Sequence, residues 1–280
     1  MTTVQAIRPS PIAGSWYPAE AKALRAQVSR FIENAQLPEI PGKVIGVIAP
    51  HAGYTYSGPT AGYSYRSVLG QSFDLVVIAS PLHEYLPYPF ITTAHEMYST
   101  PLGNVPVQHD LLNELNTKFQ QASDVRMVSI SNDREHSLEI QLPFLQVALA
   151  APFELLPLMV RETDPALLQK FGEALAQVIS GKKVLLVAST DLSHFFTEDV
   201  AEQLDQHMLA QFAAFSPRGV LLAEEKNTGY ACGAGAVASI LWAAKGLEAR
   251  QVTILHHSTS ADSTQDTSQV VGYGAAAISL

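Results

Sequence analysis

Three short, strongly apolar runs in this chain each end within a few residues of a histidine. The runs 43–49, 75–79 and 184–189 are rich in Val, Ile and Leu. Runs of this length and composition are typical of strands buried on both faces. Segments with helical spacing of apolar residues lie between them. Because strands that alternate with helices form mixed or mainly parallel sheets covered on both faces, the pattern predicts an α/β fold.

The remaining elements follow from the spacing of apolar residues. Pro59 is expected at the start of a helix that reaches about Leu69, and Pro143 is expected to kink the helix 137–149. No low-complexity linker interrupts the 280 residues, so residues 1–280 are expected to form a single domain with a substantial core. The other predicted helices are 20–34, 110–119, 165–179, 200–215 and 233–245, and the other predicted strands are 90–94, 154–160, 251–256 and 270–278.

The composition limits the classes of partner and the location. With 17 basic and 26 acidic residues the net charge is −9, which argues against general binding of nucleic acid or anionic membranes. No apolar stretch approaches the roughly 20 residues that span a bilayer, and residues 1–18 lack the layout of a secretory signal. The single cysteine, Cys232, excludes an intrachain disulfide and fits a reducing compartment. A cytoplasmic location is therefore expected.

Histidines at two strand ends are the first candidates for chemistry. Ligands of open α/β sheets bind outside the carboxyl ends of the strands, where loops project side chains into a shared crevice. His51 follows the run 43–49 and His83 follows the run 75–79, so both are predicted to line that crevice and bind a metal. Neutral imidazole suits zinc, copper, iron or nickel. The alternative is that His51 satisfies a tight turn and His83 lies in a surface loop.

The turn after the third run presents a carboxylate and an imidazole together. In this turn Asp191 is predicted to orient the ring of His194 and raise its basicity. His194 would then act as a general acid or base. The alternative is that Asp191 or Ser193 caps the following helix.

Three more positions lie near turns or helix starts. Glu135 and His136 precede the predicted helix 137–149, and both are assigned to substrate binding in the crevice, where His136 could instead support the ligands from behind. The alternative is that Ser137 caps this helix while Glu135 and Glu139 interact favourably with its dipole. Cys232 stands where another helix begins, which favours a thiolate that binds metal or attacks a substrate. A lone cysteine is most often an inert apolar residue, so that alternative stays open.

Aromatic side chains complete the predicted site. Trp16 and Tyr54 are assigned to substrate binding. Trp16 lies in a segment that also contains Arg8 and Tyr17. This segment either covers the site and selects a substrate or only pins the N-terminus to the core.

Seven stretches, in order along the chain, resemble the Memo family. The most specific are IAPHAGYTYSG (48–58) and EHSLEIQLPFLQ (135–146), whose combination is far more distinctive than a short motif. The family commonly has Gly-Pro-Ser-His-His at the second histidine, where this chain has Leu82 before His83 and Glu84 after it. The other matching stretches are AGSWYP (13–18), Pro81-Leu82-His83, TPLG (100–103), STDLSH (189–194) and ACG (231–233).

The resemblance implies a fold and a ligand set. The Memo family is similar to the LigB-like class III extradiol dioxygenases, α/β proteins with a non-haem iron site. The Memo pattern places His51 and His83 at the two histidine ligands, and Cys232 at the position of the dioxygenases' glutamate ligand. His194 falls at the acid–base histidine, with Asp191 beside it. Fe(II) is the metal that the resemblance favours, and Cu or Zn also suit two imidazoles and a thiolate.

Three functions are consistent with these residues and motifs. The first is an iron-dependent, dioxygenase-like oxidoreductase that acts on an unknown small molecule or peptide. The second is a noncatalytic module that binds metal and a peptide or protein; the resemblance also implies radical-SAM and AMMECR-type proteins as partners. The third is a metal-activated hydrolase in which His194 deprotonates a bound water.

Overall fold

The computed structural model describes residues 6–280. A short 3-10 helix, Glu139–Gln141, immediately precedes the fourth α-helix. The strands are β1 (Ile7–Arg8), β2 (Val44–Ala49), β3 (Leu75–Ser80), β4 (Phe90–Thr93), β5 (Met97–Thr100), β6 (Gly103–Pro106), β7 (Val128–Ile130), β8 (Glu154–Val160), β9 (Val184–Ser189), β10 (His194–Phe196), β11 (Gln251–Thr259) and β12 (Val270–Ser279). The α-helices are α1 (Ala21–Asn34), α2 (Tyr54–Arg66), α3 (His109–Ser123), α4 (Leu142–Ala148), α5 (Pro165–Ile179), α6 (Glu198–Ala213), α7 (Pro217–Glu225), α8 (Ala234–Gly246) and α9 (Ala261–Thr264).

A large mixed sheet forms the centre of the fold. Its strands follow the order β10-β12-β2-β9-β3-β8-β4-β7, and β11 pairs with β12. The central strands β2, β9, β3 and β8 are parallel to one another, whereas β12 is antiparallel to β2 and β4 is antiparallel to β8. All residues of β2, β3 and β9 are buried, as the apolar runs predict. The prediction of a mixed α/β sheet is confirmed.

Helices cover both faces of this sheet. The β2-α2-β3 and β8-α5-β9 connections cross the sheet in opposite directions. Because such crossovers are right-handed, α2 and α5 lie on opposite faces. α1 and α4 pack with α2, while α3 and α8 pack with α5. One hydrophobic cluster joins these layers from Ile12 to Ile278. Among residues 6–280, no helix combines the length and apolarity needed to cross a membrane.

Two expectations about proline are wrong. Pro59 lies inside α2, which begins five residues earlier, at Tyr54. The carbonyl of Thr55, which an amide at position 59 would otherwise reach, instead accepts a hydrogen bond from the Ser263 hydroxyl. Pro143 does not kink a longer helix; it lies in the first turn of α4, after the 3-10 helix. Proline is well tolerated there because first-turn amides lack helical acceptors.

Candidate metal centre

Three histidine rings meet at the carboxyl edge of the central strands. His51 follows β2, His83 follows β3, and His136 lies between β7 and the 3-10 helix. The ring centroids of His51 and His83 are 5.4 Å apart, and those of His83 and His136 are 4.6 Å apart. One ligand nitrogen from each ring lies within 4.8 Å of the others. The structure therefore brings together the two histidines expected at the strand ends and adds His136.

The hydrogen bonds of Ser189 fix the tautomer of His51. The Ser189 hydroxyl donates its only proton to the carbonyl of Ser137, at 2.6 Å. At His51 Nδ1, 3.0 Å away, the hydroxyl oxygen must therefore accept, so Nδ1 carries the ring proton. Nε2 then keeps its lone pair. Burial, together with the neighbouring histidines, lowers the pKa of His51 well below its usual value, so the ring is neutral.

Gln141 holds Ser189 in this arrangement. Its amide nitrogen donates to Ser189 Oγ at 2.8 Å and to the carbonyl of Pro50 at 2.9 Å. Its amide oxygen accepts from the Tyr65 hydroxyl at 2.7 Å. Gln141, Ser189 and Tyr65 are fully buried. Since every group in the chain has a defined donor or acceptor, the network specifies one orientation of the His51 ring.

Glu135 fixes His83 in a similar way. This buried carboxylate accepts the backbone amide of His83 at 2.6 Å and faces His83 Nδ1 at 2.9 Å. It also accepts the backbone amides of His136 and Ser137. Although burial opposes ionisation, the hydrogen bonds from His83 hold the pKa of Glu135 well below its usual range. Nδ1–H of His83 therefore donates to the carboxylate and Nε2 is left available, as in carboxylate–histidine–metal sites.

His136 lies between His83 and Trp16. Its ring is stacked on His83 and lies 4.1 Å, centroid to centroid, from the indole of Trp16. Burial lowers the pKa of His136 to about 4, although Glu135 opposes the shift. The ring is therefore neutral at pH 7 and able to bind a metal. From the sequence, His136 is expected to bind substrate or to support the ligands from behind, and not to be a ligand itself.

Cys232 lies against the same cluster. Its Sγ is 3.1 Å from His51 Nε2 and accepts the backbone amide of Asp191 at 3.3 Å. Burial of the sulfur and the Asp191 carboxylate raise the pKa of the thiol. The residue also has an exposed side, which lines a cavity of about 230 Å³ with Leu82 and Glu224. Three imidazoles beside a thiol form a donor set that fits iron, copper or zinc.

The prediction that Asp191 orients His194 needs correction. The Asp191 carboxylate accepts the backbone amide of His51 at 2.6 Å and also that of Ala52. His194 Nδ1 instead donates to the carbonyl of Leu192 at 2.8 Å, because the turn brings that carbonyl under the ring. Burial raises the pKa of Asp191 to about 7 and lowers the pKa of His194.

The capping alternative for this turn is also wrong. The next helix, α6, begins at Glu198 with Thr197 as its N-cap residue. Asp191 and Ser193 are therefore too far from the helix start to cap it. The Asp191 carboxylate instead ties the loop after β2 to the loop after β9, which places His51 relative to His194.

Trp16 lines an apolar cavity of about 440 Å³, and its indole also contacts the ring of His136. None of the three histidines lines this cavity. Phe195 is 70% exposed at the rim and has a φ of 64°, a conformation that bulky residues rarely adopt. The other lining residues, none of them charged, are Ser15, Ala52, Gly53, Tyr56, Ser260, Thr264, Gln269, Val271 and Tyr273.

Tyr54 does not line this cavity. Its side chain is 1% exposed and its hydroxyl donates to the carbonyl of Ile140. It is a packing residue, whereas Tyr56, two positions later, lines the cavity together with Tyr273. Since α2 starts at Tyr54, the side chains of Tyr54 and Tyr56 lie on different sides of its first turn. The end of the predicted strand 43–49 indicates that Tyr54 and Tyr56 lie near the site, but it does not indicate which of the two side chains faces the cavity.

The N-terminal segment is pinned to the core, which is one of its two predicted roles. Trp16 contacts the ring of His136, and its selection of a substrate stays a prediction. Arg8 and Tyr17 pin the segment to the core through the buried Glu139 carboxylate, and Arg8 also pairs with Asp133. Arg8, Asp133 and Glu139 are all buried.

The comparisons with known proteins agree with the motifs. The family model described as Memo-like protein matches residues 8–277. The chain belongs to the Memo family. A MEMO1 family protein of Nitrosopumilus maritimus (strain SCM1) is 34% identical over 96% of this chain and 98% of its own length. Another from Thermoplasma volcanium is 32% identical over 95% of this chain and 96% of its own length.

A solved structure also aligns with most of the chain. The crystal structure of an uncharacterized Escherichia coli K12 protein covers 82% of this chain and 98% of its own, with 14% identity and a TM-score of 0.44.

The residues on either side of His83 depart from the Memo pattern. Leu82 is buried and apolar, and Glu84 is exposed and does not belong to the group of side chains that could bind a metal.

Proposed function

We propose that this Memo family protein is a metal-dependent, dioxygenase-like oxidoreductase whose metal is Fe(II). The observation that supports it best is the pair of fixed tautomers, which leave Nε2 of both His51 and His83 free for one ion. Imidazoles whose other ring nitrogen is held by a hydrogen bond in this way are typical of metal ligands. When bound, ferrous iron would supply a binding position and electrons for dioxygen chemistry.

Cys232 is the proposed third ligand. Its sulfur lies 3.1 Å from His51 Nε2, although the group of side chains whose ligand atoms all lie within 4.8 Å of one another contains only the three histidines. The thiol would lose its proton on metal binding, as thiolate ligands do. His136 is the alternative third ligand, because its nitrogen lies within reach of the other two histidines. Cu and Zn suit either set, so the metal itself must be measured.

His194 is proposed to move a proton in the reaction. Its Nδ1–H is committed to the carbonyl of Leu192, which leaves the Nε2 lone pair to accept a proton. Its lowered pKa keeps the ring neutral, the form that a general base requires. The apolar cavity beside Trp16 would hold an uncharged, aromatic or apolar part of the substrate.

Metal analysis of protein purified without oxygen tests the centre. Wild type is expected to carry iron near one equivalent, and Cys232→Ser is expected to lose it while His136→Gln keeps it. The reverse result would make His136 the third ligand. A wild type that binds no transition metal after anaerobic loading would refute the proposal.

Activity is tested separately on the iron-loaded protein. Oxygen uptake with catechols is expected in wild type and not in His194→Gln, which should keep its iron. A loaded protein that neither binds catechols nor consumes oxygen contradicts the oxidoreductase. Ester or amide hydrolysis by a zinc-loaded preparation would instead indicate the hydrolase.

A noncatalytic binding module is the second candidate. The exposed aromatic side chains of Phe195 and Tyr56 favour it, because such residues are enriched at recognition surfaces. Radical-SAM and AMMECR-type proteins are the proposed partners. Pull-down of purified partners of these two types that is lost in Phe195→Ser and kept in His51→Ala would support the module. Retention in both variants would contradict it.

A further inference from the structure

A second histidine–carboxylate pair lies behind the loop that carries His194. Asp205, in α6, is fully buried. Its Oδ1 accepts the backbone amide of Ser193 at 2.9 Å, and its Oδ2 lies 2.8 Å from Nε2 of His257. His257 belongs to β11 and its side chain is 19% exposed. Neither side chain belongs to the histidine cluster or lines the apolar cavity.

Strand β12 leaves one backbone donor of this loop for Asp205. Leu192 donates its amide to the carbonyl of Gly272, and Gly272 donates its amide to the carbonyl of Ser193, both at 2.8 Å. The amide of Ser193 points away from β12, toward the carboxylate. Gly272 is required here, because a Cβ at this position would overlap the Asp205 side chain. The Asp205 carboxylate therefore packs directly against the backbone of Gly272 while it accepts the amide of Ser193.

A single peptide group joins Asp205 to His194. The amide that Asp205 accepts and the carbonyl that accepts His194 Nδ1–H both belong to the Leu192–Ser193 peptide. Because a peptide is planar, fixing the direction of its N–H also fixes the direction of its C=O. A carboxylate on the N–H side also polarises the group and strengthens the carbonyl as an acceptor.

We propose that Asp205 and His257 are positioning residues for His194. Asp205 orients the Leu192–Ser193 peptide, and this peptide holds His194 in the Nδ1–H tautomer with Nε2 unprotonated. His257 supplies the second hydrogen bond that a buried carboxylate needs in order to stay in place. The functional importance of this arrangement rests on the proposed acid–base role of His194.

The test reads the two ring nitrogens of His194 by NMR. Metal-free protein with ¹⁵N-labelled histidine is studied at pH 8, and His194→Gln assigns the signals. Wild type is expected to show the Nδ1–H tautomer alone. His257→Leu should move the two nitrogen shifts toward the Nε2–H form, while His257→Gln, which keeps a donor for Asp205, should restore them. His207→Leu, on an exposed position of α6, should match wild type.

An unchanged His194 tautomer in folded His257→Leu overturns the proposal, even if that variant melts at a lower temperature. If His257→Leu does not fold, Asp205→Ala decides in the same way, because it removes the acceptor of the Ser193 amide. The measurement involves no metal and no turnover. Loss of the proposed metal chemistry would leave its result unchanged, so the two failures are distinguishable.

Discussion

Ser189 has one hydroxyl proton, and the availability of a ligand atom on His51 depends on where that proton goes. The proton goes to the carbonyl of Ser137, so the imidazole must donate from Nδ1 and present Nε2 to the cluster. At His83 the carboxylate of Glu135 has the same effect. Different partners therefore fix the same tautomer in the two candidate ligands, with the proton on Nδ1.

Removing the hydroxyl of Ser189 should weaken metal binding without removing a ligand. In Ser189→Ala the His51 Nδ1–H loses its acceptor, so ring orientation and tautomer are no longer fixed. We expect affinity for Fe²⁺ or Zn²⁺ to fall by about 10- to 100-fold. Anaerobic titration against a competing chelator measures it. Ser123→Ala, at the end of α3, is the matched control. Equal affinities in Ser189→Ala and wild type would contradict the assigned tautomer.

The pair formed by Glu135 and His83 should make stability depend on pH. The pKa of Glu135 is lowered, so its contribution is present above its unfolded value of about 4.3 and is lost as the pH falls. The pKa of His83 is raised by Glu135, so its contribution is present below about 6.5 and is lost as the pH rises. The two effects together favour pH 5 to 6.

Urea unfolding of metal-free wild type and Glu135→Gln at pH 3, 5.5 and 8 measures how the contribution of this pair to stability depends on pH. The difference in unfolding free energy between the two proteins should be largest at pH 5.5 and smaller at both extremes. Glu114→Gln, an exposed carboxylate on α3, should show no such maximum. A difference that is constant across the three pH values would show that the pair is not ionised in the folded protein.

At the scale of elements, a buried ion cluster joins the N-terminal segment to the 3-10 helix. Arg8 pairs with Asp133 and Glu139, and its guanidinium also donates to the carbonyl of Glu135. In Arg8→Leu two buried carboxylates lose their cation. We expect a loss of about 3–5 kcal/mol in unfolding free energy. Urea unfolding at pH 7 measures it, with exposed Arg30→Leu as control. A loss similar to that of the control would show that water replaces the guanidinium.

Elements with long apolar patterns were predictable, and short or half-exposed ones were not. The bounds of β8, α5 and β9 coincide with the sequence prediction, because these segments are buried along their whole length or on one full helical face. The hairpin of β5 and β6 was missed, because its four-residue strands alternate irregularly between exposed and buried positions. Local spacing carries little information about such segments.

The candidate site shows the same limit at the level of side chains. Strand ends predicted that His51 and His83 share a crevice, since parallel strands deliver their loops to one edge. The role of Glu135 depends on a contact with His83, 52 positions away, and no local pattern specifies it. The only local indication that Glu135 belongs to the site is the histidine that follows it, His136. The sequence predicts that Asp191 contacts His194, the nearest histidine along the chain, whereas in the structure its carboxylate accepts the backbone amide of His51.

At the scale of the whole molecule, the proposed ligands connect parts of the chain that are far apart. His51 and His83 follow two strands separated in the sheet by β9, and Cys232 precedes α8. An ion that binds all three favours the folded state over the unfolded one, because the unfolded chain holds no such site. Metal binding should therefore raise the free energy of unfolding, which can be measured even if the substrate is unknown.

We expect saturating Fe²⁺ or Zn²⁺ to raise the unfolding free energy by about 2.7 kcal/mol at a free metal concentration 100 times the dissociation constant. Denaturant unfolding with and without metal, under anaerobic conditions, measures the increase. Cys232→Ser and His83→Gln should each abolish most of it, whereas His109→Gln, on α3 away from the cluster, should keep it. If His136→Gln abolishes the increase and Cys232→Ser does not, the three imidazoles alone bind the ion. An increase that survives every one of these substitutions would place the metal elsewhere in the molecule.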